Sequence, residues 1–380
     1  MKLYEYTARM AELFGLLQDE KSRSIFWDRL KCDVQPSLEY IADLYADAFD
    51  MTSQQRQIEK DLAKQARQFH AEGKKLFLYG AGGCGQAIAE AFQIDNIPYT
   101  GFCDVRAAQL KEVYGKPVYP PEYLFSHAEE CYVLVTASVF FDEILEVLKS
   151  NHFPEDHILR HLGNGFIKPT ERQYFAFPNS YRQGTAFVDA GSFNAEDSLY
   201  FAEWCGRNYS KIFAFEPDQK NAQRCRDAAE KSGLRDFNLV PAAMSSKSGN
   251  ATFSSSGNAI SHLVDTGSPG EFFYTPTTPS CTDNQVQVVA LDDVVKDTVV
   301  GFIKMDIEGA ELDALCGGER TIKRDKPLLA ICVYHRKGDT LAIMDYLHTI
   351  VPEYRFWIRH YTAMQVETVL YAAVPEVLER

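Results

Sequence analysis

The sequence predicts an α/β protein in which a helical arm is followed by two units built on parallel sheets. Three observations carry this prediction. Short apolar runs recur along the chain, several ending on an acid or a glycine, with stretches of helical spacing between them. They fall into two series, one beginning near residue 75 and the other near residue 185, separated by a stretch containing Pro169, Pro178, Asn179 and Ser180. At 380 residues the chain exceeds one typical domain and can bury at least two cores.

Residues 1–72 read as the arm. Leu13, Phe14, Leu16 and Leu17 lie near one face, and Ile25, Phe26, Leu30, Leu38, Ile41, Leu44 and Tyr45 continue at helical spacing. Pro36-Ser37 marks a break, and residues 53–72 read as a solvated helix. The arm is expected to serve packing or a homo-oligomer contact through these helices; nothing supports a role as a lid. Residues 73–168 read as a small Rossmann-like unit, with strands at 76–79, 99–104 and 132–136 and helices at 86–92 and 139–150. After a linker at 169–184, the last unit (181–380) shows seven strands, near 186–190, 211–216, 237–240, 301–306, 328–334, 354–358 and 366–373. A hairpin at 250–254 and 285–290 encloses a long polar loop, of a kind that is usually functional or disordered.

Charge and cysteine usage narrow the function classes. With 39 basic against 53 acidic side chains the net charge is −14, which argues against nucleic acid as the partner. The nine cysteines are scattered, odd in number and without C-x-x-C spacing, so neither a disulfide frame nor a zinc knuckle is expected. No apolar run approaches membrane-spanning length, and a cytoplasmic protein with no membrane partner is the expectation.

Two places carry chemistry. In the first, Gly80, Gly82 and Gly85 form G-x-G-x-x-G directly after a strand, and Asp104 ends the next strand. Such glycines allow a tight turn and the approach of a pyrophosphate to a helix N-terminus, which suits a nucleotide or sugar nucleotide. They serve equally well for packing alone. No tyrosine has a lysine four residues on, so proton-coupled hydride transfer of the Tyr-x-x-x-Lys type is not expected. The strand–GAGG–helix start resembles the N-terminal sugar-nucleotide-binding modules of bacterial sugar acyltransferases over about the first thirty residues of the unit.

In the second place, Val188-Asp189-Ala190-Gly191, Phe215-Glu216-Pro217 and Met305-Asp306-Ile307-Glu308-Gly309 bring carboxylates and a glycine to one sheet edge. Ligands of open parallel sheets bind outside the carboxyl ends of the strands. The glycine would let a ligand approach the backbone, and Glu216 can accept hydrogen bonds from two ribose hydroxyls. The ensemble reads as a nucleoside site, with S-adenosylmethionine as the cofactor. Asp189 reads otherwise as a turn or cap acid. Asp306 is the candidate base for removing an acceptor proton, with Glu308 and His335 as helpers. Glu308 reads otherwise as an acid favoured by the dipole of a helix starting at Gly309, and His335 as a strand-end cap. Two carboxylates and an imidazole also suit Mg²⁺ or Mn²⁺, though no residue is assigned to a metal. Lys304 reads as structural.

Residues 185–375 resemble the FkbM-type family of S-adenosylmethionine-dependent O-methyltransferases. The resemblance rests on the three runs above together with Asp218, Val240-Pro241-Ala242-Ala243, Ala290-Leu291-Asp292-Asp293 and Ala310-Glu311. It implies a seven-strand Rossmann-like methyltransferase domain with a reversed last strand. It places Asp189 and Gly191 beneath the cofactor, Glu216 on the ribose, and Ala242 and Ala243 beside the adenine. Where many relatives have a second glycine, this chain has Ala195 followed by Glu196. The implied activity is O-methyl transfer to a hydroxyl of a sugar, glycan or other small metabolite. The alternatives are a sugar-nucleotide- or dinucleotide-binding enzyme or binding protein acting through Gly80–Gly85, and an assembly module keeping degenerate copies of both folds.

Overall fold

A computed structural model describes residues 3–137, 140–159, 172–177, 181–255, 262–263 and 282–375. Four helices come first: α1 (Leu3–Gly15), α2 (Glu20–Val34), α3 (Leu38–Ala48) and α4 (Ser53–Ala71). The Ser37 side chain caps α3, and Thr52 with Gln55 makes a reciprocal capping box at α4, so the break at Pro36-Ser37 is also a helix start.

Next come β1 (Lys75–Tyr79), α5 (Gly83–Ile94), β2 (Gly101–Cys103), α6 (Ala107–Leu110), β3 (Glu112–Val113), β4 (Lys116–Tyr119), α7 (Pro121–Ser126), β5 (Cys131–Val135), α8 (Phe141–Ser150) and β6 (Ile158–Leu159). They form a six-stranded sheet of order β3-β4-β2-β1-β5-β6, parallel except for the β3–β4 pair. Phe77, Tyr79, Cys103, Val133 and Val135 fill one of its buried clusters.

The last series is β7 (Ala186–Ala190), α9 (Glu196–Trp204), β8 (Ile212–Phe215), α10 (Gln219–Lys231), β9 (Phe237–Val240), β10 (Ala243–Met244), β11 (Gly249–Ser255), β12 (His262–Leu263), β13 (Thr282–Val289), α11 (Leu291–Val295), β14 (Val300–Met305), α12 (Glu311–Cys316), α13 (Glu319–Asp325), β15 (Leu328–Cys332), α14 (Asp339–Ile350), β16 (Arg355–His360) and β17 (Thr368–Ala373). Its main sheet has seven strands in the order β16-β17-β15-β14-β7-β8-β9. The strands β7, β14 and β15 are buried throughout, as parallel strands covered on both faces must be. The last strand, β17, runs antiparallel to β15, as the resemblance implied. The expected hairpin appears as β11 and β13 within a four-stranded sheet. The polar loop at 266–280 and residues 169–171 and 178–180 of the linker lie outside the described residues.

The chain divides into two compact units, and not along the boundaries read from the sequence. One unit comprises residues 1–26, 171–359 and 367–380; the other comprises 27–170 and 360–366. Residues 1–72 are therefore not a separate arm. Leu17 bridges to Phe356 in parallel, with Gln18 N–H donating to the Phe356 carbonyl and Phe356 N–H to the Leu16 carbonyl at 3.0 and 3.2 Å. Ser22 Oγ accepts from Ile358 N–H, and Arg9 pairs with Asp345 on α14. In the other unit, the buried Arg29 on α2 donates to the Gln365 carbonyl. Among the described residues no helix is long and apolar enough to cross a membrane.

Candidate functional site

The carboxyl ends of β7, β8, β9 and β14 border a cavity of about 480 Å³. It lies where the strand order reverses, between β7 and β14, which is the usual ligand crevice of an open parallel sheet.

The inner wall is the turn after β7. Gly191 has φ of 78°, and a Cβ there would lie 1.8 Å from the Asp306 carbonyl oxygen. The glycine is thus demanded by the close passage of two strand ends, where the sequence suggested the approach of a ligand. Asp189 is fully buried and sits beneath this turn, outside the cavity lining. Its Oδ2 accepts from Ser192 and Ser198 hydroxyls at 3.0 and 2.6 Å, and its Oδ1 lies 3.2 Å from Lys304 Nζ. Lys304 also donates to the Gly191 carbonyl at 2.8 Å and lies 3.4 Å from Asp197. Burial alone would favour the neutral amine, but Asp189 and Asp197 outweigh it and hold the lysine protonated. Lys304 is structural, as read, and it also lines the cavity.

Glu216 ends β8 at the cavity. Its Oε1 accepts from Asp218 N–H at 2.8 Å and its Oε2 from Phe193 N–H at 3.0 Å, leaving one acceptor position on each oxygen. Burial pushes this carboxyl up to about 7, with the two N–H bonds opposing. Phe215, Pro217, Ala242, Ala243 and Met244 add an apolar wall beside it.

The far end is polar. Tyr174 donates to Asp306 Oδ2 at 2.6 Å, and the Tyr334 hydroxyl lies 3.4 Å from Oδ1. His335 Nε2 lies 3.4 Å from Asp306 Oδ1 and 3.5 Å from Glu308 Oε2, while its Nδ1 meets Glu311 Oε1 at 2.9 Å. Sequence reasoning therefore grouped Asp306, Glu308 and His335 correctly in space. Helix α12 starts at Glu311 rather than Gly309, so it is Glu311, not Glu308, that occupies its first turn. Glu308 instead has φ of 55°, and with Gly309 at 91° this left-handed pair turns its carboxylate toward His335. Burial would raise the Asp306 carboxyl, but His335, Lys304 and the Tyr174 hydroxyl together bring it below its ordinary value. Burial drives Glu308 up to about 8, with His335 opposing and Asp306 and Glu311 adding repulsion.

Three participants were missed. Tyr174 lay in the stretch read as linker, where a lone tyrosine gives no signal. Glu367 lines the cavity and takes bonds from Gln173 and Tyr334. Glu311 orients His335 from four residues beyond Ile307, whose N–H it also accepts at 2.9 Å.

Gly80, Gly82 and Gly85 belong to the other unit. A Cβ on Gly85 would meet the Gly80 carbonyl oxygen at 1.8 Å, and one on Gly80 would meet Ala137 Cβ at 2.8 Å. Asp104 accepts from Ala81 and Arg106 N–H groups at 2.9 Å each. Packing thus accounts for two of the three glycines, and only Gly82 faces open space.

The sheet order, the reversed last strand and the position of the cavity define the fold of S-adenosylmethionine-dependent methyltransferases. Residues 185–358 match the family described as the methyltransferase FkbM domain. The chain shares its fold with the methyltransferase FkbM from Methylobacillus flagellatus KT at 17% identity and a TM-score of 0.50, covering 93% of this chain and 99% of that one. An rRNA methylase from Streptococcus thermophilus is similar at 12% identity and a TM-score of 0.35, over 54% of this chain and 98% of that one. No curated protein matches the chain.

Proposed function

We propose that this chain transfers a methyl group to a hydroxyl of a sugar, glycan or other small metabolite. The observation that carries the reading is the polar end of the cavity, where Asp306, Glu308, Glu367 and the Tyr174 and Tyr334 hydroxyls converge. Such a set receives neutral hydroxyl-bearing molecules and repels phosphates. The donor fits the other end: Glu216 retains acceptor positions for ribose hydroxyls, and Phe215, Ala242, Ala243 and Met244 offer an apolar face for adenine. When bound, S-adenosylmethionine supplies an electrophilic methyl group on a sulfonium.

The chain's own contribution is to position the acceptor, exclude water and remove a proton. Asp306 orients the acceptor hydroxyl and takes its proton, and Tyr174 holds that carboxylate in place. His335, held by Glu311 through Nδ1, stands beside Asp306 at 3.4 Å. Calorimetry with S-adenosylhomocysteine, followed by methyl transfer to a panel of sugars and hydroxylated metabolites, tests the reading. Glu216→Ala should weaken product binding, since each hydrogen bond to a charged group is worth about 1.5–3 kcal/mol. Asp306→Asn should keep that affinity while kcat falls about 10²–10⁴-fold. Absence of S-adenosylhomocysteine binding by the parent would sink the proposal.

A further inference from the structure

His335 is the least explained group in the site. Its ring is buried and only 7% exposed, and Nε2 has no hydrogen-bond partner although Nδ1 is fully engaged by Glu311. The free nitrogen faces two carboxylates at 3.4 and 3.5 Å, too long for hydrogen bonds of ordinary strength. Glu308 accepts no hydrogen bond among the described residues, yet its backbone is held in a left-handed conformation that aims it at the same point. One oxygen of Asp306, one of Glu308 and one nitrogen of His335 all lie within 4.8 Å of one another.

We propose that Asp306, Glu308 and His335 form a binding site for a divalent transition-metal ion at the acceptor end of the cavity. Ligand atoms around a tetrahedral ion with bonds of about 2.0–2.2 Å are separated by about 3.3–3.6 Å, the spacing that Nε2 keeps from both carboxylates. The Nδ1–Glu311 contact is the second half of a carboxylate–histidine–metal arrangement: it places the proton on Nδ1 and leaves the Nε2 lone pair for the ion. An imidazole ligand favours Zn²⁺ over Mn²⁺, Mg²⁺ and Ca²⁺, which suit oxygen ligands better. Three protein ligands leave a coordination position toward the cavity, where an ion polarises an acceptor hydroxyl. The catalytic use of the site rests on the methyltransferase reading; the binding of metal does not.

The experiment uses the full chain, stripped with chelator and titrated separately with Zn²⁺, Mn²⁺ and Mg²⁺, with bound metal measured by equilibrium dialysis. One Zn²⁺ or Mn²⁺ per chain is expected, with Mg²⁺ at least about tenfold weaker. Glu308→Gln and His335→Ala should each weaken binding by more than about tenfold, and Glu311→Gln by about 10–100-fold with the stoichiometry retained. Pulsed electron paramagnetic resonance of the parent with Mn²⁺ should show one imidazole nitrogen bound, a readout independent of how the variants fold. Absence of saturable Zn²⁺ and Mn²⁺ binding, binding that ignores both ligand substitutions, or a Mn²⁺ centre without nitrogen coupling each overturns the site. Calorimetry with S-adenosylhomocysteine on the same samples separates the two readings. Metal bound without it removes the methyltransferase reading alone, and the converse removes the metal site alone.

Discussion

Lys304 carries the inner wall of the cavity. Its ammonium is the hub joining Asp189, Asp197 and the Gly191 carbonyl, and it is 2% exposed. Removing one partner of a buried ion pair leaves the other charge uncompensated. Lys304→Met should therefore lower stability by about 3–5 kcal/mol in urea denaturation. Adding Asp189→Asn should restore part of that loss, and a double variant no better than the single one would contradict the pairing. Glu216 gives a pH signature at the same scale. Its folded-state carboxyl, raised by burial to about 7 from 4.5, favours the neutral form. That stabilisation is complete below pH 4.5 and is lost as pH rises through about 7. The slope of melting temperature against pH between 5 and 7 should be shallower in Glu216→Gln than in the parent.

At the scale of elements, the ends of β7 and β14 are locked together. The Gly191 turn and the Asp306 carbonyl leave no room for a methyl group. Gly191→Ala adds a left-handed strain of about 1–2 kcal/mol and overpacking of about 1–3 kcal/mol, so a loss of about 2–5 kcal/mol is expected. Unfolding titration measures it, and binding of S-adenosylhomocysteine should weaken in parallel. The same junction shows what sequence can and cannot disclose. Strand ends were legible because apolar runs stop abruptly at Asp189-Ala190-Gly191, Glu216 and Asp306, and all seven main strands appear where those runs lie. A lysine inside the apolar run Gly301–Met305 was a signal too, since a buried ammonium in a central strand requires carboxylate partners. Tyr174 and Glu367 were not legible. Each reaches the cavity through tertiary packing of segments distant in sequence from Asp306, and no local period announces that. The left-handed turn at Glu308 was hidden for a related reason, because a glutamate rarely marks positive φ.

At the scale of the molecule, the first 26 residues belong to the unit that contains the cavity. The sequence reading starts this unit at residue 181. The structure argues otherwise, because Leu16, Leu17 and Gln18 pair with the outer side of β16, and Ser22 accepts the Ile358 N–H. A fragment of residues 181–380 exposes that strand edge, a template for association between chains. Size-exclusion chromatography should find it associated, and supplying a peptide of residues 1–26 should shift it toward monomer. A monomeric fragment that binds S-adenosylhomocysteine as well as the full chain would show the pairing to be dispensable.

That pairing also sets a clock for synthesis. Leu17 leaves the ribosome 339 residues ahead of Phe356, its bridge partner. At about 5–20 residues per second the wait is roughly 20–70 s, far longer than a helix needs to form. Throughout that interval the apolar face of α1 and the next segment has no sheet to rest on, while residues 27–170, the larger part of the other unit, emerge in turn. The growing chain thus carries residues 16–18 without their pairing partner until β16 has been made.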